Sequence, residues 1–101
     1  MVLHVVMYKP KLGTTNEEIE IALEHVKELQ PKIPGLLEVR TGANLDNPDS
    51  YGHTHGFIMR FSDEAHMRAY FDTPDPDHQA VSDELHRLCT YMAFDIPYWE
   101  S

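Results

Sequence analysis

Val2 to Lys9 is a β-branched and largely apolar run closed by Pro10. A proline cannot donate to a strand ladder, so the run predicts a strand that stops there. Thr15 and Glu18 have the spacing of a capping box, and Ile19, Ala22, Leu23, Val26 and Leu29 then recur at helical intervals. They predict a helix from about Asn16 to Gln30, ended by Pro31, Pro34 and Gly35. Leu36 to Ala43 alternates as a second strand, Asn44 to Gly52 has the composition of a surface loop, and His53 to Phe61 follows as a third strand. Ser62 is placed to cap another helix reaching about Phe71, with Asp63 and Glu64 in its positive first turn. Thr73-Pro74-Asp75-Pro76 interrupts it; Asp75 can cap and Pro76 can open a last helix to about Leu88. Thr90 to Tyr98 reads as a closing strand.

The order β-α-β-β-α-α-β is the split βαβ pattern with its second helical segment broken in two. It predicts an α+β, ferredoxin-like antiparallel sheet with helices on one face, in a single domain over residues 1–101. The first strand offers Val2, Val6 and Tyr8 to one side and Leu3, Val5 and Met7 to the other; the third sets Phe57, Met59 and Phe61 against Gly56 and Ile58. Helices cover one face of such a sheet, so the second apolar face needs a partner. An identical sheet related by two-fold symmetry is the simplest one, giving a homodimer closed like an α/β-barrel.

Composition narrows the function classes. With 8 Lys and Arg against 17 Asp and Glu, the net charge of −9 has the wrong sign for phosphate backbones or anionic membranes. No apolar run approaches the roughly 20 residues that cross a bilayer, and the N-terminus lacks the order of a signal peptide. The expected protein is soluble and cytoplasmic, without nucleic-acid or membrane partners. Cys89 is the only cysteine, which fits a reducing compartment, and reads as a small buried side chain on a helix.

Seven histidines are the chemical lead. His78 falls in the first turn of the last helix, and Val81, Leu85 and Leu88 lie three, seven and ten residues further on, so it heads the core-facing stripe. The helix dipole and burial both disfavour imidazolium there, leaving a neutral ring suited to act as a general base. The competing expectation is a ring that merely caps the helix. Tyr70, eight residues earlier across the turn-rich break, could converge on the same cavity and donate to a developing enolate oxygen, or serve only as a core-edge residue. His4 and His55 sit among apolar neighbours on the first and third strands, as pocket walls or as satisfied core groups. In antiparallel strands they lie about 10 Å apart, too far for one metal ion. His53 and His55 would share a strand face, but no further ligand accompanies them, and neither a metal nor a cofactor is expected. His25, His66 and His86 fall among charged helical positions and read as solvated.

The ordered set His4-Val5-Val6 with Lys9, Ile33-Pro34-Gly35, Gly42 and Asn44, Tyr51 with Thr54-His55, Phe61-Ser62-Asp63-Glu64-Ala65, Tyr70, His78-Gln79 and Phe94-Asp95 resembles the Dabb family of stress-responsive dimeric α/β-barrel domains over nearly the whole chain. The resemblance implies a cofactor-free ferredoxin-like domain that dimerises through its sheet. It also implies similarity to a plant polyketide cyclase of that family, which closes a linear chain by aldol condensation. His78 as base, Tyr70, and the pocket histidines His55 and His4 match its working positions. Where the family commonly reads His-Pro-x-His, this chain has Thr73-Pro74-Asp75-Pro76-Asp77-His78, a turn about two residues longer that lacks the first histidine. Two functions follow: a cofactor-independent enzyme acting alpha to a carbonyl of a small polyketide-like or aromatic molecule, or a non-catalytic stress-responsive or ligand-binding dimer.

Overall fold

A computed structural model describes residues 1–73 and 75–97. Four strands, β1 (Val2–Pro10), β2 (Leu36–Ala43), β3 (His55–Phe61) and β4 (Cys89–Pro97), form one sheet in the order β2-β3-β1-β4. Every neighbouring pair is antiparallel. Helices α1 (Asn16–Lys27), α2 (Glu64–Asp72) and α3 (Pro76–Leu88) accompany it, the expected ferredoxin-like arrangement. Tyr98, expected to end the last strand, lies outside the described residues.

The capping box forms as expected: the Thr15 hydroxyl accepts from the Glu18 N–H while the Glu18 carboxylate accepts from the Thr15 N–H at 3.0 Å. The helix stops at Lys27 rather than near Gln30, and the chain tightens into a 3₁₀ turn over Gln30–Lys32. Pro31 is the reason, since its ring would meet the carbonyl four residues back in a continued helix. Gly35 then takes a positive φ of 78° beneath the His66 ring, a place with no room for a Cβ.

Three further boundaries differ from expectation. The cap of α2 is Asp63, whose carboxylate accepts from the His66 N–H at 2.8 Å. Ser62 is held one step earlier, with its N–H bonded to the Gly35 carbonyl at 2.8 Å. Strand β3 begins at His55, so His53 lies in the preceding turn with its Nδ1 2.7 Å from the Ser50 carbonyl. Cys89 is buried as expected but opens β4 instead of ending the helix.

The alternation along β1 divides the molecule. His4, Val6 and Tyr8 are buried with Phe57, Met59 and Phe61 of β3 under Ile19, Leu23 and Val26 of α1 and Leu85 and Leu88 of α3. On the opposite side Ile58, Met92 and Phe94 remain 42%, 47% and 47% exposed. The sheet therefore carries a second apolar face that no helix covers. No helix among the described residues is long and apolar enough to cross a membrane.

Candidate active site

His78 is held by the start of α3. Asp75 is the N-cap, and its carboxylate accepts from the His78 N–H at 2.8 Å. Pro76 supplies the preset φ of the first turn, so the imidazole is aimed by a short, fixed segment. The ring lies flat against Tyr70, with centroids 3.8 Å apart and planes 14° from parallel. Tyr70 and His78 are thus in contact although the segment between them departs in sequence from His-Pro-x-His. Burial is the largest influence on His78 and lowers its pKa below the ordinary imidazole value of 6.5; Asp75 and the Tyr70 backbone pull upward, and nearby His4 pushes further down. His78 Nδ1 is buried without a hydrogen-bond partner among the described residues.

Register places the second imidazole. His4 of β1 stands opposite Asp95 of β4, and its Nδ1 lies 2.7 Å from the Asp95 carboxylate. Accepting at that carboxylate fixes the proton on Nδ1 and leaves Nε2 as the free, basic nitrogen. The His4 ring also meets Phe71 edge-on at 4.9 Å. Its pKa is lowered, chiefly by burial, with Asp95 opposing.

His4, Tyr70 and His78 line one cavity of about 390 Å³ between the sheet and α3, walled by Val6, Phe57 and Leu85. Three of the four expected site residues are therefore brought together. His55 is not among them: it is buried opposite Tyr8, its Nδ1 2.8 Å from the Thr54 hydroxyl, and lines a separate depression with His53, Arg40 and Ile58. His4 and Tyr8 are four positions apart on β1, so His4 and His55 are separated by about 13 Å at about 3.3 Å per residue. Among the described residues no group of three or more His, Cys, Asp or Glu is arranged to hold a metal ion.

The histidines expected in solvent have partners. His25 Nδ1 is 2.9 Å from Glu84, His66 Nδ1 is 2.8 Å from Asp63, and exposed His86 stacks on Tyr91 at 4.6 Å on the cavity wall. Sequence reasoning also passed over Asp95 and Tyr8 as cavity residues. Period-two alternation puts both on the helix side, and Asp95 also belongs to the set that resembles the family, but these signals acquire chemistry only once strand register is known.

These features define a ferredoxin-like domain with a histidine- and tyrosine-lined cavity between its sheet and its last helix. Residues 2–98 match the Dabb family, described as Stress responsive A/B Barrel Domain, and the chain belongs to that family. A dimeric ferredoxin-like protein of unknown function from Jannaschia sp. CCS1 is 29% identical, with 96% of this chain and 98% of that one covered and a TM-score of 0.83. Hydroxynitrile lyase from Passiflora edulis shares the fold at 21% identity, covering 99% and 94% with a TM-score of 0.83. SnoaB, a cofactor-independent oxygenase from Streptomyces nogalater, does so at 14% identity, covering 99% and 94% with a TM-score of 0.79. No curated protein matches the sequence.

Proposed function

We propose that the chain is a small cofactor-independent enzyme that abstracts a proton alpha to a carbonyl in a polyketide-like or aromatic molecule, a cyclase, isomerase or lyase reaction. His78 is the base, and Tyr70 donates to the developing enolate oxygen. His4, oriented by Asp95, positions the substrate, and His55 takes no part.

The observation that carries this reading is the unpartnered buried Nδ1 of His78 in a ring stacked on Tyr70 at a cavity wall. Leaving a buried nitrogen unpaired costs about 1–3 kcal/mol, an expense that folding alone gives no reason to keep. The lowered pKa keeps the imidazole unprotonated near neutrality, as a base must be. The fold hosts both a hydroxynitrile lyase and a cofactor-independent oxygenase in other proteins, so it accommodates chemistry on small molecules without a resident cofactor. The chain acts as a homodimer, its open sheet face covered by a second copy; the relative from Jannaschia is likewise described as dimeric.

Deuterium exchange tests the reaction without knowledge of the substrate. In D₂O the protein should accelerate loss of the methyl protons of 3,5-dihydroxyacetophenone, followed by NMR. His78→Ala should lower that rate by about 10²–10⁴-fold, the usual contribution of a positioned acid or base. An unchanged rate in a folded His78→Ala variant refutes the assignment and leaves a non-catalytic binding dimer.

A further inference from the structure

Tyr8 is buried in the middle of the molecule with 4% of its surface exposed, yet its hydroxyl has no hydrogen-bond partner among the described residues. It lines the same cavity as His4, Tyr70 and His78. Burial pushes its pKa up, so it is a neutral donor. The Tyr70 hydroxyl is likewise without a partner among the described residues, and burial keeps it neutral as well.

The cavity floor runs along β1. At one end is His4 with Asp95; four residues on, about 13 Å away at about 3.3 Å per residue, is Tyr8 opposite Tyr91. Between them lie Val6 and Ala93, an apolar pair facing each other across β1 and β4. Along this floor the polar side chains of His4 and Tyr8 therefore flank an apolar stretch. Asp95 is the only Asp, Glu, Lys or Arg among the described residues that line it. An anion entering would meet a carboxylate and no Lys or Arg, within a chain whose net charge is −9.

We infer that Tyr8 is a specificity residue of this cavity, and that the ligand is an uncharged, aromatic-sized molecule with a carbonyl that meets His78 and Tyr70 and a second hydroxyl or carbonyl oxygen that receives the Tyr8 hydroxyl. The carbonyl rests on the function proposed above; the second oxygen and the absence of charge do not. An anion of the same size is held more weakly than the neutral ligand.

Calorimetric titration with three probes tests the assignment: 3,5-dihydroxyacetophenone, acetophenone, and the anion 3,5-dihydroxybenzoate. Wild-type protein should bind the dihydroxy ketone most tightly and the benzoate at least roughly tenfold more weakly. Tyr8→Phe should weaken the dihydroxy ketone roughly three- to tenfold, the equivalent of one neutral hydrogen bond, and leave acetophenone unchanged. Because the hydroxyl has no partner in the protein, Tyr8→Phe should keep or raise the melting temperature.

Equal binding of the dihydroxy ketone by Tyr8→Phe and wild type overturns the role of Tyr8 while leaving the proposed reaction standing. A benzoate bound as tightly as the ketone overturns the neutral-ligand assignment. A fall of several degrees in melting temperature shows a structural hydroxyl instead. If neither ketone binds at millimolar concentration, the cavity is not a carbonyl site, and the proposed function falls with the inference.

Discussion

Two imidazoles in this protein are held below their ordinary pKa of 6.5, and both face one cavity. For each the first cause is burial, which penalises the charged form, so the folded chain takes up protons less readily than the unfolded one. The sign of the linkage follows. Just below pH 6.5 the unfolded state binds more protons, so stability is complete above that pH and declines as pH falls toward the folded-state values. Melting temperature should therefore drop between about pH 7 and pH 5, and the drop should shrink in His78→Asn, as a series of thermal scans would show. The acidic limb of any activity profile should lie below 6.5 for the same reason. At this scale the chemistry is set by what surrounds a ring: His25 and His66 have carboxylate partners at similar distances but remain open to solvent.

Among the elements, α3 matters most because its first turn is also the wall of the site. Asp75 does two jobs that can be separated. As N-cap it accepts the His78 N–H, and its charge raises the His78 pKa against burial. Asp75→Asn should keep the cap, leave stability nearly unchanged, and lower the His78 pKa further in an NMR titration of the imidazole. Asp75→Ala should also cost about 1 kcal/mol in a urea melt, the usual loss for a removed cap. The strands contribute by register. Asp95 reaches His4 only because β4 pairs with β1 one residue against the other, and a slip by a single residue would turn it to the open face.

For the molecule as a whole, the unfinished part is the open side of the sheet. Ile58, Met92 and Phe94 are each more than two-fifths exposed and stand on β3 and β4, the two strands that flank β1, on the side of the sheet no helix covers, a patch of the kind that marks an interface. Glu38 and Arg40 of β2 form an exposed ion pair at 3.0 Å, a polar rim beside it. The proposed dimer makes a definite prediction. Wild-type protein should sediment as a dimer at micromolar concentration, and Phe94→Glu should shift it to monomer with its far-ultraviolet circular dichroism retained. A wild-type monomer at that concentration would rule out this use of the face.

The amino-acid sequence by itself determined the element order, the helix caps at Thr15 and Asp75, the two-sided apolar character of the strands, and the inward aim of His78. These are local matters: proline geometry, side chains within three or four residues of the backbone groups they satisfy, and the periods of 2 and 3.6. Tertiary structure decided which chemistry met. It brought His4, Tyr8, Tyr70 and His78 to one cavity, set Asp95 on His4, and sent His55 elsewhere. Those outcomes depend on strand register and on the packing of α3 against the sheet, interactions between residues as many as 91 positions apart that no local pattern encodes. The register of the α2 cap, Asp63 and not Ser62, was likewise seen only in the structure, where the Ser62 N–H is bonded across the fold to Gly35.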